Sequence, residues 1–121
     1  MLITFQGRKS GLSFTTPVRY IQNEGTIRCF TSSENQWWCN LRVESEVVLR
    51  VRGIDSRYRA HAIHDDPKEI KLWLVVYLGL FPQDAAYHDI RLNKDKSLVA
   101  EDLEKASQRA VVVEAYPLDQ K

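Results

Sequence analysis

Gly7-Arg8-Lys9-Ser10-Gly11 places two adjacent cations and a hydroxyl between two glycines. Glycine lets a backbone turn tightly and brings its N–H groups close to a ligand. Arginine offers a planar fork of donors, lysine a compact point charge and serine a small donor, a set that suits phosphate. The ordinary alternative for such a turn is a solvated basic loop. Soon after it, Thr15-Thr16-Pro17 adds two hydroxyls and a proline. Proline cannot donate to a ladder, so a strand carrying Pro17 is an edge, bulged, or open towards a ligand there.

Little else in the chain has the spacing of a nucleophile or an acid–base pair. No Ser-His-Asp arrangement, nucleophile elbow or paired-carboxylate site can be assembled. His61 and His64 stand three apart in an expected strand, hence on opposite faces, and no metal site is expected from them. His88 falls in a loop-like stretch beside Tyr87, where it either donates to a bound substrate or faces water. Cys29 and Cys39 fit no zinc spacing and read as ordinary thiols of a reduced, cytoplasmic protein.

A chain of 121 residues reads as one domain, 1–121. Its net charge of +1 hides an asymmetry: residues 1–60 hold nine Lys/Arg against five Asp/Glu, and residues 61–121 hold eight against eleven. The first half therefore attracts a small anion, while the whole chain is no polyanion binder. Basic residues do not interleave with aromatics, so no nucleic-acid partner is expected. The most apolar run, Leu72 to Phe81, has ten residues, too short for a membrane span. No signal peptide is recognised at the N-terminus.

The first half reads as β. Leu2 to Phe5 is a short strand, and residues 14–21 form a second, with Phe14, Thr16, Val18 and Tyr20 on one face. Asn23-Glu24-Gly25 signals a hairpin into a third strand, Thr26 to Ser32. A fourth covers residues 46–52, Gly53-Ile54-Asp55-Ser56 turns the chain, and a fifth covers Arg57 to His64. Between strands three and four, the segment with Trp37, Trp38 and Asn40 has room for one or two helical turns. Of the adjacent tryptophans, only one can readily face inward.

The second half reads mainly as helix. Asp66-Pro67-Lys68-Glu69 is a start signal, with an N-cap, a first-turn proline and an acid at the third position. The helix is expected to end near Tyr77 or Leu78, stopped by Gly79 and Pro82. Apolar nearly all round from Leu72, it needs cover on more than one side, and a second copy of the chain is the expected source. A second helix spans Leu98 to Gln108 with Leu103 and Ala106 inward, and Ala110 to Ala115 is a last strand. Five strands, helices and a returning strand predict a mainly β chain with helices (α+β), in a small closed or split barrel.

The ordered motifs are similar to those of the deazaflavin-dependent nitroreductase and quinone reductase family, one of the pyridoxamine-phosphate-oxidase-like split β-barrels. They are Gly7-Arg8-Lys9-Ser10-Gly11-Leu12, Thr15-Thr16-Pro17-Val18 and Trp37-x-x-Asn40-Leu41-Arg42, followed by Asp66-Pro67 with Trp73, Phe81-Pro82 with Tyr87, and Arg109 before Val111-Val112-Val113. The resemblance implies a split barrel of about six strands, often dimeric in the wider group. It implies a flavin-type cofactor, deazaflavin coenzyme or FMN, whose hydride chemistry needs no conventional acid or base from the protein. It further implies that Arg8, Lys9, Ser10 and Gly11 face the cofactor's phosphate or anionic tail. Thr15, Thr16 and Pro17 would lie against its ring, Trp37 and Asn40 would form its wall, and Tyr87 with His88 would line the pocket of a quinone- or nitroaromatic-like acceptor. Ser13-Phe14 stands where deazaflavin-binding members often carry arginine, the loop before Trp37 is short, and residues 93–108 are longer than the family's. These departures leave deazaflavin and FMN both open, and with them a non-catalytic module that holds flavin nucleotide or another anion.

Overall fold

A computed structural model describes residues 1–118. Seven strands form one antiparallel sheet: β1 (Leu2–Gln6), β2 (Ser13–Pro17), β3 (Tyr20–Asn23), β4 (Thr26–Ser32), β5 (Ser45–Val51), β6 (Ile54–Ile63) and β7 (Ala110–Pro117). Their spatial order is β2-β1-β5-β6-β7-β4-β3. The two edges, β2 and β3, are consecutive in the chain and joined only by Val18 and Arg19. Laid flat, seven strands at about 4.8 Å spacing would part those edges by roughly 29 Å. Three peptide units reach only about 11 Å. The sheet must therefore curl until its edges meet at that corner, which makes it a split barrel of the α+β class.

The strand expected over residues 14–21 is thus two strands on opposite edges, and the barrel has seven strands rather than about six. Pro17 lies opposite Leu2, and Val18 N–H donates to the Met1 carbonyl at 3.0 Å in the same register, so this edge ends where its partner strand runs out at Met1. The other hairpins follow their glycines. Glu24-Gly25 (φ 53° and 86°) and Arg52-Gly53 (φ 52° and 79°) form two-residue turns with both φ positive, the geometry that matches strand twist. The second turn is tighter than the expected Gly53–Ser56 bend, so β6 begins at Ile54.

Two apolar layers hold the sheet. Ile3, Phe5, Cys29, Leu49, Val111 and Val113 fill the barrel, closed at one end by Trp38 and Leu41 of a 3₁₀ helix, Trp37–Leu41. Burial pushes the Cys29 thiol up to about 12 and keeps it inert. The alternate residues of β4 and β7, Phe30 and Val112, face outward under α1 (Pro67–Leu80) and α2 (Ala100–Arg109). Asp66 caps α1 by accepting from Glu69 N–H at 3.2 Å. The helix runs through Gly79 to Leu80, beyond the expected stop, because Pro82 opens a further 3₁₀ helix, Pro82–His88, rather than a loop. Ile70, Leu74, Tyr77 and Leu78 of α1 are buried, while Leu72, Val75, Val76 and Leu80 are 57%, 46%, 40% and 64% exposed. Among the described residues no helix is long and apolar enough to cross a membrane.

Candidate functional site

The β1–β2 hairpin carries site features at both ends. At its tip, Gly7 N–H donates to the Leu12 carbonyl (2.8 Å) and Gly11 N–H to the Gly7 carbonyl (2.9 Å). Gly11 takes a φ of +70°, which glycine adopts at least cost. Gly7 is required for a different reason: a Cβ there would lie 2.8 Å from the Phe14 ring and 2.9 Å from Ser10 Oγ. The turn is also anchored from outside. Arg8 N–H donates to Asn40 Oδ1, and Arg8 Nη1 donates to the Cys39 carbonyl, both at 3.0 Å. Asn40 Nδ2 in turn donates to the Trp37 carbonyl at 2.9 Å. Ser10 Oγ accepts from Leu12 N–H at 3.2 Å, leaving its own proton to donate. Lys9 is exposed and has no carboxylate within ion-pair distance among the described residues.

At the other end of the hairpin, about 13 Å away at four residues of strand rise, opens a cleft of about 580 Å³. Thr16, Pro17 and Val18 form one wall and Trp37 another, with Thr31 and Asn35 between. Trp37 belongs to an aromatic row, 5.7 Å from Phe5, which lies 6.0 Å from Phe14. Phe30 and Tyr77, stacked at 4.3 Å, also reach the cleft.

The far side comes from the 3₁₀ helix Pro82–His88. Asp84, only 8% exposed, accepts from Tyr77 Oη at 2.6 Å and pairs with Arg19 Nε at 3.1 Å through the same oxygen, Oδ2. Burial, then the Asp84 hydrogen bond, pushes the Tyr77 hydroxyl well above its usual range, so it stays a donor. His88 is buried edge-on to Tyr77 at 5.8 Å, and burial lowers its pKa, favouring the neutral ring. Tyr87 stands exposed beside it. A smaller polar recess beyond Tyr87 and His88 reaches Arg109.

Of the residues singled out in the sequence, the cleft brings together Thr16, Pro17, Trp37, Tyr87 and His88. Arg8, Lys9, Ser10 and Gly11 form the separate turn, and Asn40 ties that turn to Trp37 with both of its polar groups. Thr15 lies on the opposite strand face, where Thr15 Oγ1 and Thr4 Oγ1 share a hydrogen bond of 2.8 Å. The two tryptophans divide as expected: Trp38 is in the core and Trp37 at the cleft. Sequence reasoning missed Arg19, Tyr77 and Asp84. The one available signal was Asp84 itself, an acid just past a long apolar run.

The split barrel thus carries a cleft of mixed polar and aromatic lining at one end of the β1–β2 hairpin and a cationic turn at the other. The model of the F420H(2)-dependent quinone reductase family matches residues 1–100, and the chain belongs to that family of oxidoreductases. No individual curated protein matches it. The family's cofactor is the deazaflavin coenzyme F420. The residues present fit it: the cleft volume lies within the usual range of roughly 300–1,000 Å³ for small-molecule sites, Pro17 and Trp37 offer flat apolar walls, and Lys9 keeps its charge free for an anion.

Proposed function

We propose that this chain, taken as one domain over residues 1–121, is an F420H2-dependent reductase of small flat acceptors, quinones first and nitroaromatics second. One observation carries the reading: a ring-sized cleft and a cationic turn occupy the two ends of one hairpin, linked by Asn40 and the 3₁₀ helix that bears Trp37. When bound, the reduced coenzyme supplies the hydride. Pro17, Thr16 and Trp37 hold the ring flat and exclude water from one face. Arg8, Lys9 and Ser10 grip the anionic tail, and Gly7 and Gly11 give their turn its shape. Asn40 keeps Arg8 in register with Trp37. The acceptor lies against Tyr87 and His88, whose neutral ring can share a hydrogen bond with a carbonyl or nitro oxygen. Thr15, facing away with Thr4, serves the hairpin rather than the ring.

F420 is favoured over FMN by the family, against the departure at Phe14, where a further cation would otherwise stand. The exposed stripe of α1 supports a homodimer, since Leu72, Val75, Val76 and Leu80 recur at helical spacing on one face. Two unpaired thiols support a cytoplasmic location.

Fluorescence titration with F420, followed by oxidation of F420H2 with a naphthoquinone or a nitroaromatic, tests the reading. Binding with turnover is expected. Tight binding with no turnover by any acceptor would favour a non-catalytic cofactor module. No binding of F420 or FMN would refute the proposal.

A further inference from the structure

We infer that Arg19 is a catalytic residue on the acceptor side of the cleft: its guanidinium stabilises the oxyanion that forms as a quinone is reduced, and Asp84, anchored by Tyr77, positions it. The inference rests on the proposed quinone reductase activity. Hydride addition to one end of a quinone's conjugated dione leaves a phenolate at the other. That phenolate then takes a proton from solvent to give the hydroquinone. The hydride comes from the reduced coenzyme, which also loses a proton and ends oxidised. The charge that builds on the acceptor oxygen is where a fixed donor helps most.

Arg19 is placed for that task by the fold itself. It sits in the two-residue corner where the sheet's edges meet, next to Val18, whose amide is bonded to Met1. Its backbone position is therefore set by barrel closure rather than by a free loop. Its Nε lies 3.1 Å from Asp84 Oδ2 in an ion pair, and the side chain, 65% exposed, opens on the cleft it lines. Among the described residues no other acceptor engages it, so the two terminal nitrogens of the fork remain available. Asp84 is held in turn: Tyr77 Oη donates to the oxygen that faces Arg19. Tyr77 is anchored in the core by its stack on Phe30. An exposed structural ion pair would need neither a buried carboxylate nor a tyrosine behind it.

The direct test uses 4-nitrophenol, whose phenol and phenolate forms absorb at different wavelengths, bound to the protein without coenzyme. The wild type should bind phenolate about tenfold tighter than phenol, the ordinary effect of a nearby opposite charge. Arg19→Gln, which keeps a donor for Asp84, should reverse that preference, because Asp84 is left uncompensated. Arg19→Lys should keep part of it. Asp84→Asn should raise it, since an opposing charge is gone. In the loaded enzyme, Arg19→Gln should lower kcat with a quinone by about 10²-fold, the usual cost of one oxyanion donor, with F420 affinity unchanged. A wild type that binds no nitrophenol, or an Arg19→Gln variant with the wild-type phenolate preference, would overturn the assignment. If F420 itself fails to bind, the functional reading falls, and the phenolate titration still decides Arg19.

Discussion

Asn40→Ala tests whether the cationic turn and the cleft act as one unit. The substitution removes two hydrogen bonds, Arg8 N–H to Oδ1 at 3.0 Å and Nδ2 to the Trp37 carbonyl at 2.9 Å. At about 0.5–1.5 kcal/mol each, the loss is roughly 1–2.5 kcal/mol because both sites are partly open to water. For a chain of this length that lowers Tm by about 4–10 °C. The effect on binding is separate. Arg8 keeps its contact with the Cys39 carbonyl, but its backbone is no longer fixed, so the coenzyme must order the turn on arrival. Ordering at a cost of about 1 kcal/mol raises the Kd for F420 about fivefold. Asn40→Asp retains the acceptor for Arg8 N–H and loses the bond to Trp37, so its turn should stay ordered while its Tm still falls. Differential scanning fluorimetry and coenzyme fluorescence read the two quantities independently. An Asn40→Ala protein with lowered Tm and wild-type F420 affinity would refute the coupling, and one unchanged in both would refute the anchoring role itself.

Gly7→Ala drives a methyl against the Phe14 ring and Ser10 Oγ, at 2.8 and 2.9 Å. It should cost about 1–3 kcal/mol in chemical denaturation, and Phe14→Ala in the same chain should recover part of it. His88 has a pKa held below its ordinary value by burial, so the unfolded chain binds its proton first as pH falls. Stability from this group is complete above about pH 6.5 and is lost as pH drops towards the folded pKa, so His88→Asn should flatten the urea midpoint between pH 7 and 5. Asp102, held at about 2 first by the Arg91 side-chain hydrogen bond, adds a second loss lower down, as pH falls through about 4 towards 2; Asp102→Asn should remove it. Leu72→Glu with Val76→Glu should convert a dimer to monomer in light scattering; a wild type that is already monomeric would refute the dimer.

Elements with their own local punctuation were legible in the sequence. The Asp66-Pro67 cap, the Glu24-Gly25 turn and β4 carry signals within a few residues, and all lie where the sequence puts them. The second strand failed because alternation continues through Pro17 to Ile21 although the ladder does not. Periodicity records which face a residue takes, not which strand it pairs with. The end of α1 failed similarly: Gly79 lies on the exposed face, where no neighbour enforces a stop, and the helix continues to the following turn.

The same limit explains what could be read of the site. The cationic turn and Pro17 announce themselves by composition, and Trp37 by its place beside a buried twin. Arg19 and Asp84 are 65 positions apart, and neither belongs to a local pattern. They meet because two edge strands joined by two residues force the sheet to close at Arg19, while Pro82 restarts a helical turn that brings Asp84 up to that corner. The ion pair is thus a product of barrel closure. Lengthening the Val18–Arg19 link by two glycines should loosen it without touching either charge. In the 4-nitrophenol titration such an insertion should behave like Arg19→Lys, retaining charge but losing placement. If it kept the full wild-type phenolate preference, the charge would matter without the corner that holds it.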